Sequence, residues 1–266
     1  MPFRLKPTFR DALARADRPL AGMWVCSGSP LIAEICAGAG LDWLLIDMEH
    51  SPNGLESVLA QLHAAAAAPV TTLVRVPTAD PVIIKQVLDL GAQNLLVPMV
   101  SSAAEAEAIV RAVHYPPRGI RGVGSALARS ARWNRVDDYL AEAEQHVSLV
   151  VQIETAAGVE AAAAIAAVDG VDGVFVGPSD LAASMGLLGQ QTHPDVVAAV
   201  RRVFTQARAS GTPVGVNAFA PALARDYAEA GADFLLVGAD VALLARGSEA
   251  LATAWVPEAD RTARAG

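Results

Sequence analysis

Short, nearly unbroken apolar runs recur along the chain at 21–27 (AGMWVCS), 43–49 (WLLIDME), 71–76 (TTLVRV) and 94–100 (NLLVPMV), then at 148–154 (SLVVQIE), 173–178 (GVFVGP), 213–218 (PVGVNA) and 234–240 (FLLVGAD). Runs of this length with little polar alternation predict strands buried on both faces, as in a parallel sheet covered by helices. The Ala-rich segments between them, such as GLESVLAQLHAAAA, DPVIIKQVLDLG and PDVVAAVRRVFTQARASG, carry helical spacing. Asp80 followed by Pro81 reads as an N-cap with proline in the first turn, and Gly91, Gly211 and Gly231 stand where helices stop. One phrase returns three times, as AGLDWLLID at 39–47, LGAQNLLVP at 90–98 and AGADFLLVG at 230–238. Each copy reads as a helix end, a glycine turn and a buried strand.

Eight βα units predict a single (β/α)8 barrel over residues 1–266, with 1–20 as an N-terminal arm or helix. A doubly wound sheet is the competing architecture, but no GxGxxG follows the first strand and no GxxxxGK[ST] occurs, so the usual nucleotide markers are absent. The glycine-bearing segment GIRGVGSALARSARWN at 119–134 follows a helix and breaks that spacing, and 115–135 reads instead as an active-site lid or a subunit-contact loop.

Composition narrows the partners. The 266 residues are 53% hydrophobic and 18% charged, as expected of a core-rich globular protein, and the net charge of −8 offers no basic stripe for nucleic acid or an anionic membrane. Cys26 and Cys36 form no CxxC, which argues against a disulfide framework or structural zinc and fits a reducing cytoplasm. No apolar leader opens the chain and no run reaches spanning length.

In a barrel the chemistry lies where strands end. Alternation puts Trp43, Leu45, Asp47 and Glu49 on one face of the second strand, with His50 just beyond, and a histidine beside a carboxylate suits proton transfer near neutral pH. A helix-capping Asp47, a surface Glu49 and a loop His50 are the plain alternatives. Arg75 ends TTLVR, where its planar fork suits a carboxylate or an enolate oxygen. Gln152 and Glu154 share a face of the fifth strand and Asp180 follows GPS after the sixth. Glu154 and Asp180 together suit Mg²⁺ or Mn²⁺, with Co²⁺ or another divalent ion as the alternative, leaving positions for water and substrate. The backbone N–H groups of the turn Gly177, Pro178 and Ser179, to which the proline itself lends none, are placed to receive a carboxylate.

The only lysines, Lys6 and Lys85, end no strand, so a Schiff-base lysine and pyridoxal phosphate are not expected. GxSxG is absent, and His63, His114, His146 and His193 fall in helices or connections.

The phrases WLLIDMEHSPN, LVRVP, GAQNLLVPMV, YPPRGIRGVG, VVQIETAAGVE, GVFVGPSDLAASMG and FLLVGADVALL, in this order between about Gly22 and Gly247, resemble the HpcH/HpaI aldolases. These are metal-dependent class II enzymes that include 4-hydroxy-2-oxoheptanedioate aldolase and 2-keto-3-deoxy sugar acid aldolases. The resemblance implies that Glu154 and Asp180 hold the metal and that His50 with Asp47 is the base system, acting through a water on the metal. It implies that Arg75 steadies a pyruvate enolate, that Gln152 and the backbone at Pro178 and Ser179 complete the pyruvate pocket, and that Glu49 supports the metal waters or the loop. The implied reaction cleaves a 4-hydroxy-2-oxo acid to pyruvate and an aldehyde. Trp24, Asn217 and Phe219 are candidates for the aldehyde side, with Arg118, Arg121, Arg129 and Arg132 of the 115–135 loop. The implied assembly is a homohexamer with terminal helices exchanged between barrels. Rival readings are an oxaloacetate decarboxylase, a citryl- or malyl-CoA-type lyase, a non-catalytic 2-oxo acid binding protein, and a structural or protein-interaction barrel.

Overall fold

The computed structural model describes residues 3–258. The eight apolar runs form eight parallel strands: β1 (Leu20–Val25), β2 (Trp43–Asp47), β3 (Thr71–Arg75), β4 (Asn94–Val97), β5 (Ser148–Ile153), β6 (Gly173–Val176), β7 (Val214–Asn217) and β8 (Phe234–Ala239). They close in sequence order, with β8 pairing back onto β1, so the architecture is a (β/α)8 barrel. Each strand ends one to three residues before its apolar run does. The residues just past the strand ends, among them Glu49, Met99 and Glu154, turn over the mouth. The helices fall where their signals stand: Leu55–Ala64, Pro81–Asp89 and Pro194–Ala209, with the Asp80 carboxylate accepting from the Val82 N–H.

Two apolar layers follow from the period-2 alternation of the strands. Outward residues such as Ile46, Val74, Val97, Ile153 and Val176 pack beneath the helices. Inward residues, chiefly Trp43, Leu45, Leu73, Leu96, Val150, Phe175, Phe234 and Leu236, fill the barrel. The helix Phe9–Arg15, fixed by a Thr8–Asp11 capping box, closes the floor. Phe9 is fully buried, its ring centroid 5.2 Å from those of both Trp43 and Phe234, and its N–H donates to Asn94 Oδ1 at 2.6 Å. The aromatic floor depends on two glycines, because a Cβ on Gly22 would lie 2.4 Å from the Trp43 ring and one on Gly215 would lie 2.3 Å from the Phe234 ring. Above the hydrocarbon that fills the barrel, the last inward residues of β2, β3 and β5 are polar: Asp47, Arg75 and Gln152.

The expectation that 115–135 covers the active site is corrected for this chain's own barrel. The segment joins the helix Ala103–Val113 to β5, so it lies where strands begin, at the end opposite the mouth. Its arginines are spent there: Arg118 pairs with Glu144 and with Asp169, Arg121 donates to Asp89 Oδ1 at 2.9 Å, Arg129 donates to the Leu90 carbonyl at 2.9 Å, and Arg132 donates to the Arg129 carbonyl at 3.4 Å. None of the four is available to the aldehyde side of its own mouth. Leu127 and Trp133 are exposed on the same loop.

The helix Asp240–Trp255 leaves β8 with Val241, Leu243, Leu244, Leu251 and Trp255 all exposed. No helix among the described residues is long and apolar enough to cross a membrane.

Candidate active site

Asp47 organises one half of the mouth. It is the register partner of Arg75 on the neighbouring strand, and its Oδ1 accepts from Arg75 Nε at 2.7 Å and from the Glu49 N–H at 3.0 Å. Oδ2 accepts from the His50 N–H at 3.2 Å and from Ser51 Oγ at 3.0 Å, while Asn53 Nδ2 donates to the Asp47 carbonyl at 2.6 Å. One carboxylate therefore fixes both an arginine and the turn that carries Glu49 and His50. Burial opposes ionisation of Asp47, but the hydrogen bond and charge of Arg75, with the Glu49 N–H and Ser51, overcome it and hold the carboxyl below its ordinary range.

Arg75 is buried and held from three sides. Besides Asp47, Nη1 lies 2.8 Å from Glu49 Oε2, and Cζ stands 4.2 Å above the Trp24 ring. Nη2 has no partner among the described residues. The His50 imidazole meets Glu49 rather than Asp47: Nε2 is 3.7 Å from Glu49 Oε2, and the side chain is 65% exposed. Asp47 reaches His50 only through its backbone.

The other half of the mouth is acidic. Glu154, one residue past β5, accepts from the Met99 N–H at 2.8 Å on Oε1 and from Gln152 Nε2 at 2.6 Å on Oε2. Met99 makes its bond from a left-handed conformation (φ 61°), a strained backbone for a residue with a Cβ. Burial pushes the Glu154 carboxyl up to about 7; the Met99 N–H works against this, and the charges of Glu49 and Asp180 add to it. Burial likewise raises Glu49 despite Arg75, with Asp47 and Asp180 contributing. Gly177 leaves the room these groups need, since a Cβ there would lie 2.7 Å from both Glu154 Oε2 and Gln152 Nε2. Pro178 is buried and Ser179 and Asp180 are exposed at the start of the short helix Pro178–Ser184.

Glu49, Glu154 and Asp180 repel one another across the mouth; Gln152 Oε1 is buried without a hydrogen-bond partner, and Glu49 Oε2 meets Arg75 Nη1 as an ion pair outside hydrogen-bond angles. An all-oxygen donor set with excess negative charge fits a hard divalent cation. Among the described residues no group of three or more His, Cys, Asp and Glu side chains is arranged to hold a metal, so a cation on Glu154 and Asp180 would take its remaining ligands from water and substrate.

Trp24 and Asn217 meet each other, the indole Nε1 donating to Asn217 Oδ1 at 2.9 Å, and Phe219 is exposed on the loop after β7. No lysine stands at the mouth: Lys6 donates to the Ala68 carbonyl near the floor and Lys85 lies on the helix Pro81–Asp89. His193 caps a helix and His146 stacks on Tyr139. Sequence reasoning missed Asp240, whose buried carboxylate accepts from the N–H groups of Cys26 and Ser27 at 2.8 and 3.0 Å and so ties the end of β1 to the start of the last helix. An aspartate closing the run FLLVGAD was its only signal. Met99 gave none, because its backbone N–H rather than its side chain makes the contact.

A barrel whose mouth joins a buried arginine to a carboxylate cluster defines a class of enzyme able to stabilise an oxyanion beside a divalent cation. The sequence profile of the HpcH/HpaI aldolase/citrate lyase family matches residues 20–247, and the chain belongs to that family. It is 50% identical to a 4-hydroxy-2-oxo-heptane-1,7-dioate aldolase of Salmonella dublin over 98% of this chain and 99% of that one. A crystal structure of an HpcH/HpaI aldolase/citrate lyase family protein from Burkholderia cenocepacia J2315 superposes with a TM-score of 0.88 at 42% identity, covering 92% of this chain and 97% of that one. CitE from Mycobacterium tuberculosis, solved with magnesium and pyruvate, shares the fold at a TM-score of 0.57 and 18% identity, covering 83% of this chain and 86% of that one.

Proposed function

We propose that this chain is a divalent-metal-dependent class II aldolase that reversibly cleaves a 4-hydroxy-2-oxo acid to pyruvate and an aldehyde. The observation that carries the reading is the clamped Arg75, with Nε and Nη1 committed to Asp47 and Glu49 and Nη2 left for an anion, beside the Glu154–Asp180 carboxylates. Full-length similarity to the Salmonella aldolase supports the same reaction class.

Glu154 and Asp180 would hold the cation, Mg²⁺ or Mn²⁺ by their oxygen chemistry. Bound there, it supplies Lewis-acid stabilisation of the negative charge that develops on the 2-oxo oxygen. Arg75 Nη2 binds the same oxygen, and Gln152 with the Ser179 N–H, just past Pro178, receives the rest of the pyruvate unit. In cleavage His50 Nε2 takes the C4 hydroxyl proton, the C3–C4 bond breaks, and its electron pair passes into the enolate while the aldehyde departs. Protonation at C3 completes pyruvate. Glu49 steadies the imidazolium, and Asp47 holds Arg75 and the His50 backbone. Phe219 stands on the aldehyde side.

The protein acts in the cytoplasm, with Cys26 and Cys36 free, as a homohexamer packed through the exposed apolar side chains of the last helix. Sedimentation equilibrium tests the assembly.

The reaction is tested by following pyruvate methyl protons by NMR in D₂O, with the protein chelated and then supplied with Mg²⁺ or Mn²⁺. Exchange that disappears on chelation and returns with metal supports enolisation at this site. No exchange with any metal overturns it. A screen of aldehydes then begins with succinate semialdehyde, the fragment that C3–C4 cleavage of the relative's substrate would release.

A further inference from the structure

Trp24 is the last inward side chain of β1 and Asn217 the last residue of β7, 193 positions apart in sequence, yet the indole N–H donates to the amide oxygen at 2.9 Å. The face of the same indole lies 4.2 Å from Arg75 Cζ. Three residues on three strands therefore form a chain that runs from Asn217 through Trp24 to the arginine.

The mechanical reason for such a chain lies in how Arg75 is held. Asp47 and Glu49 engage Nε and Nη1, which fixes a planar group along one edge. A plane held by one edge still tilts about it, and tilt redirects Nη2, the nitrogen left for substrate. The indole face removes that freedom by lying under the guanidinium, an attraction that is stronger for being out of water. The indole must itself be prevented from turning. Trp24 is buried, so an indole N–H without a partner is costly, and the orientation that keeps the Asn217 bond is selected. Phe175 flanks the ring edge-on at 6.5 Å and supplies no polar partner.

We propose that Asn217 and Trp24 are a positioning pair for Arg75: the amide oxygen of Asn217 fixes the indole, and the indole fixes the angle at which the guanidinium meets the enolate oxygen. The pair rests on the pyruvate-enolate reading above and adds to it two residues that act through Arg75. It also assigns Asn217 a purpose other than contact with the aldehyde, since its amide oxygen is already engaged.

The test uses full-length Asn217→Leu, Trp24→Phe and the double variant, saturated with Mn²⁺ for kinetics and with diamagnetic Mg²⁺ for NMR. Pyruvate methyl exchange is measured without any aldehyde. Loss of one buried hydrogen bond predicts a fall in exchange kcat of about three- to tenfold in Asn217→Leu. Pyruvate KM changes less than kcat, and the double variant is no slower than Trp24→Phe. Every aldehyde adduct is then cleaved more slowly by the same factor, and the Arg75 Nε–H resonance shifts in Asn217→Leu. Exchange at the wild-type rate, or a defect confined to some aldehydes, overturns the pair and returns Asn217 to the aldehyde side. Should the wild-type protein exchange no pyruvate protons, the pyruvate reading falls separately, and an unmoved Arg75 Nε–H resonance in Asn217→Leu overturns the positioning pair by itself.

Discussion

Asp47 and Arg75 face each other across β2 and β3 as register partners, and the 2.7 Å bond from Arg75 Nε to Asp47 Oδ1 is buried on both sides. The pair does more than neutralise charge, because the same carboxylate also caps the turn that carries Glu49 and His50. Removing it leaves a buried guanidinium facing only Glu49.

Asp47→Ala is therefore expected to lower unfolding stability by about 3–5 kcal/mol, the range for breaking a buried ion pair from one side. Asp47→Asn, which keeps an oxygen acceptor, is expected to lose less. Urea denaturation with matched m-values decides the ranking, and equal losses would show that the charge rather than the turn dominates.

Glu154 gives the metal-free protein a pH signature. With its folded pKa raised to about 7 from an ordinary 4.5, the native state retains a proton that the unfolded chain has released. Its contribution to stability is present in full below the unfolded pKa and is lost as pH rises through the folded value, at up to ~1.4 kcal/mol for each pH unit crossed between the two. Chelated wild-type protein should lose stability between about pH 4.5 and 7 relative to Glu154→Gln. Mg²⁺ or Mn²⁺ at pH 8 should restore the wild type and not the variant. Parallel stability curves for the two proteins from pH 4 to 8 would refute this account.

His50 is 65% exposed at its side chain, so His50→Gln should leave stability within about 0.5 kcal/mol. Its loss as a general base should slow aldol cleavage by roughly 10²–10⁴-fold. Thermal melts and cleavage rates measured on one preparation separate the two effects, and an unchanged rate would remove His50 from proton transfer.

Phe9 closes the barrel floor between Trp43 and Phe234. Phe9→Ala should cost about 3–5 kcal/mol, because rings held by neighbouring strands cannot collapse into the space. The mouth lies at the other end, so divalent-cation affinity measured by calorimetry at a temperature where the variant is folded should stay near wild type. A large fall in affinity would mean that floor and mouth are coupled.

The strands were legible because a parallel barrel buries both faces of each one, and that demand writes itself into the chain as uninterrupted apolar runs. Asp47, Arg75 and Glu154 were legible for a related reason: polar groups at the ends of such runs stand where the hydrocarbon stops. The placement of 115–135 was available in principle, since a segment between a helix and the next strand must lie at the strand-entry end. Its glycines and arginines are features of composition, which does not report connectivity.

The sequence by itself determined the eight βα units, the end of the barrel that carries chemistry, and the residue types gathered there, because these depend on periodicity and on the order of elements along the chain. Only the tertiary structure decided that His50 meets Glu49 while Asp47 holds its backbone, that Met99 reaches Glu154 through a main-chain N–H, and that Asn217 finds Trp24 across 193 residues. Those contacts depend on barrel closure and on side-chain directions at the mouth, where strands remote in sequence come within hydrogen-bonding distance and no local pattern records the pairing.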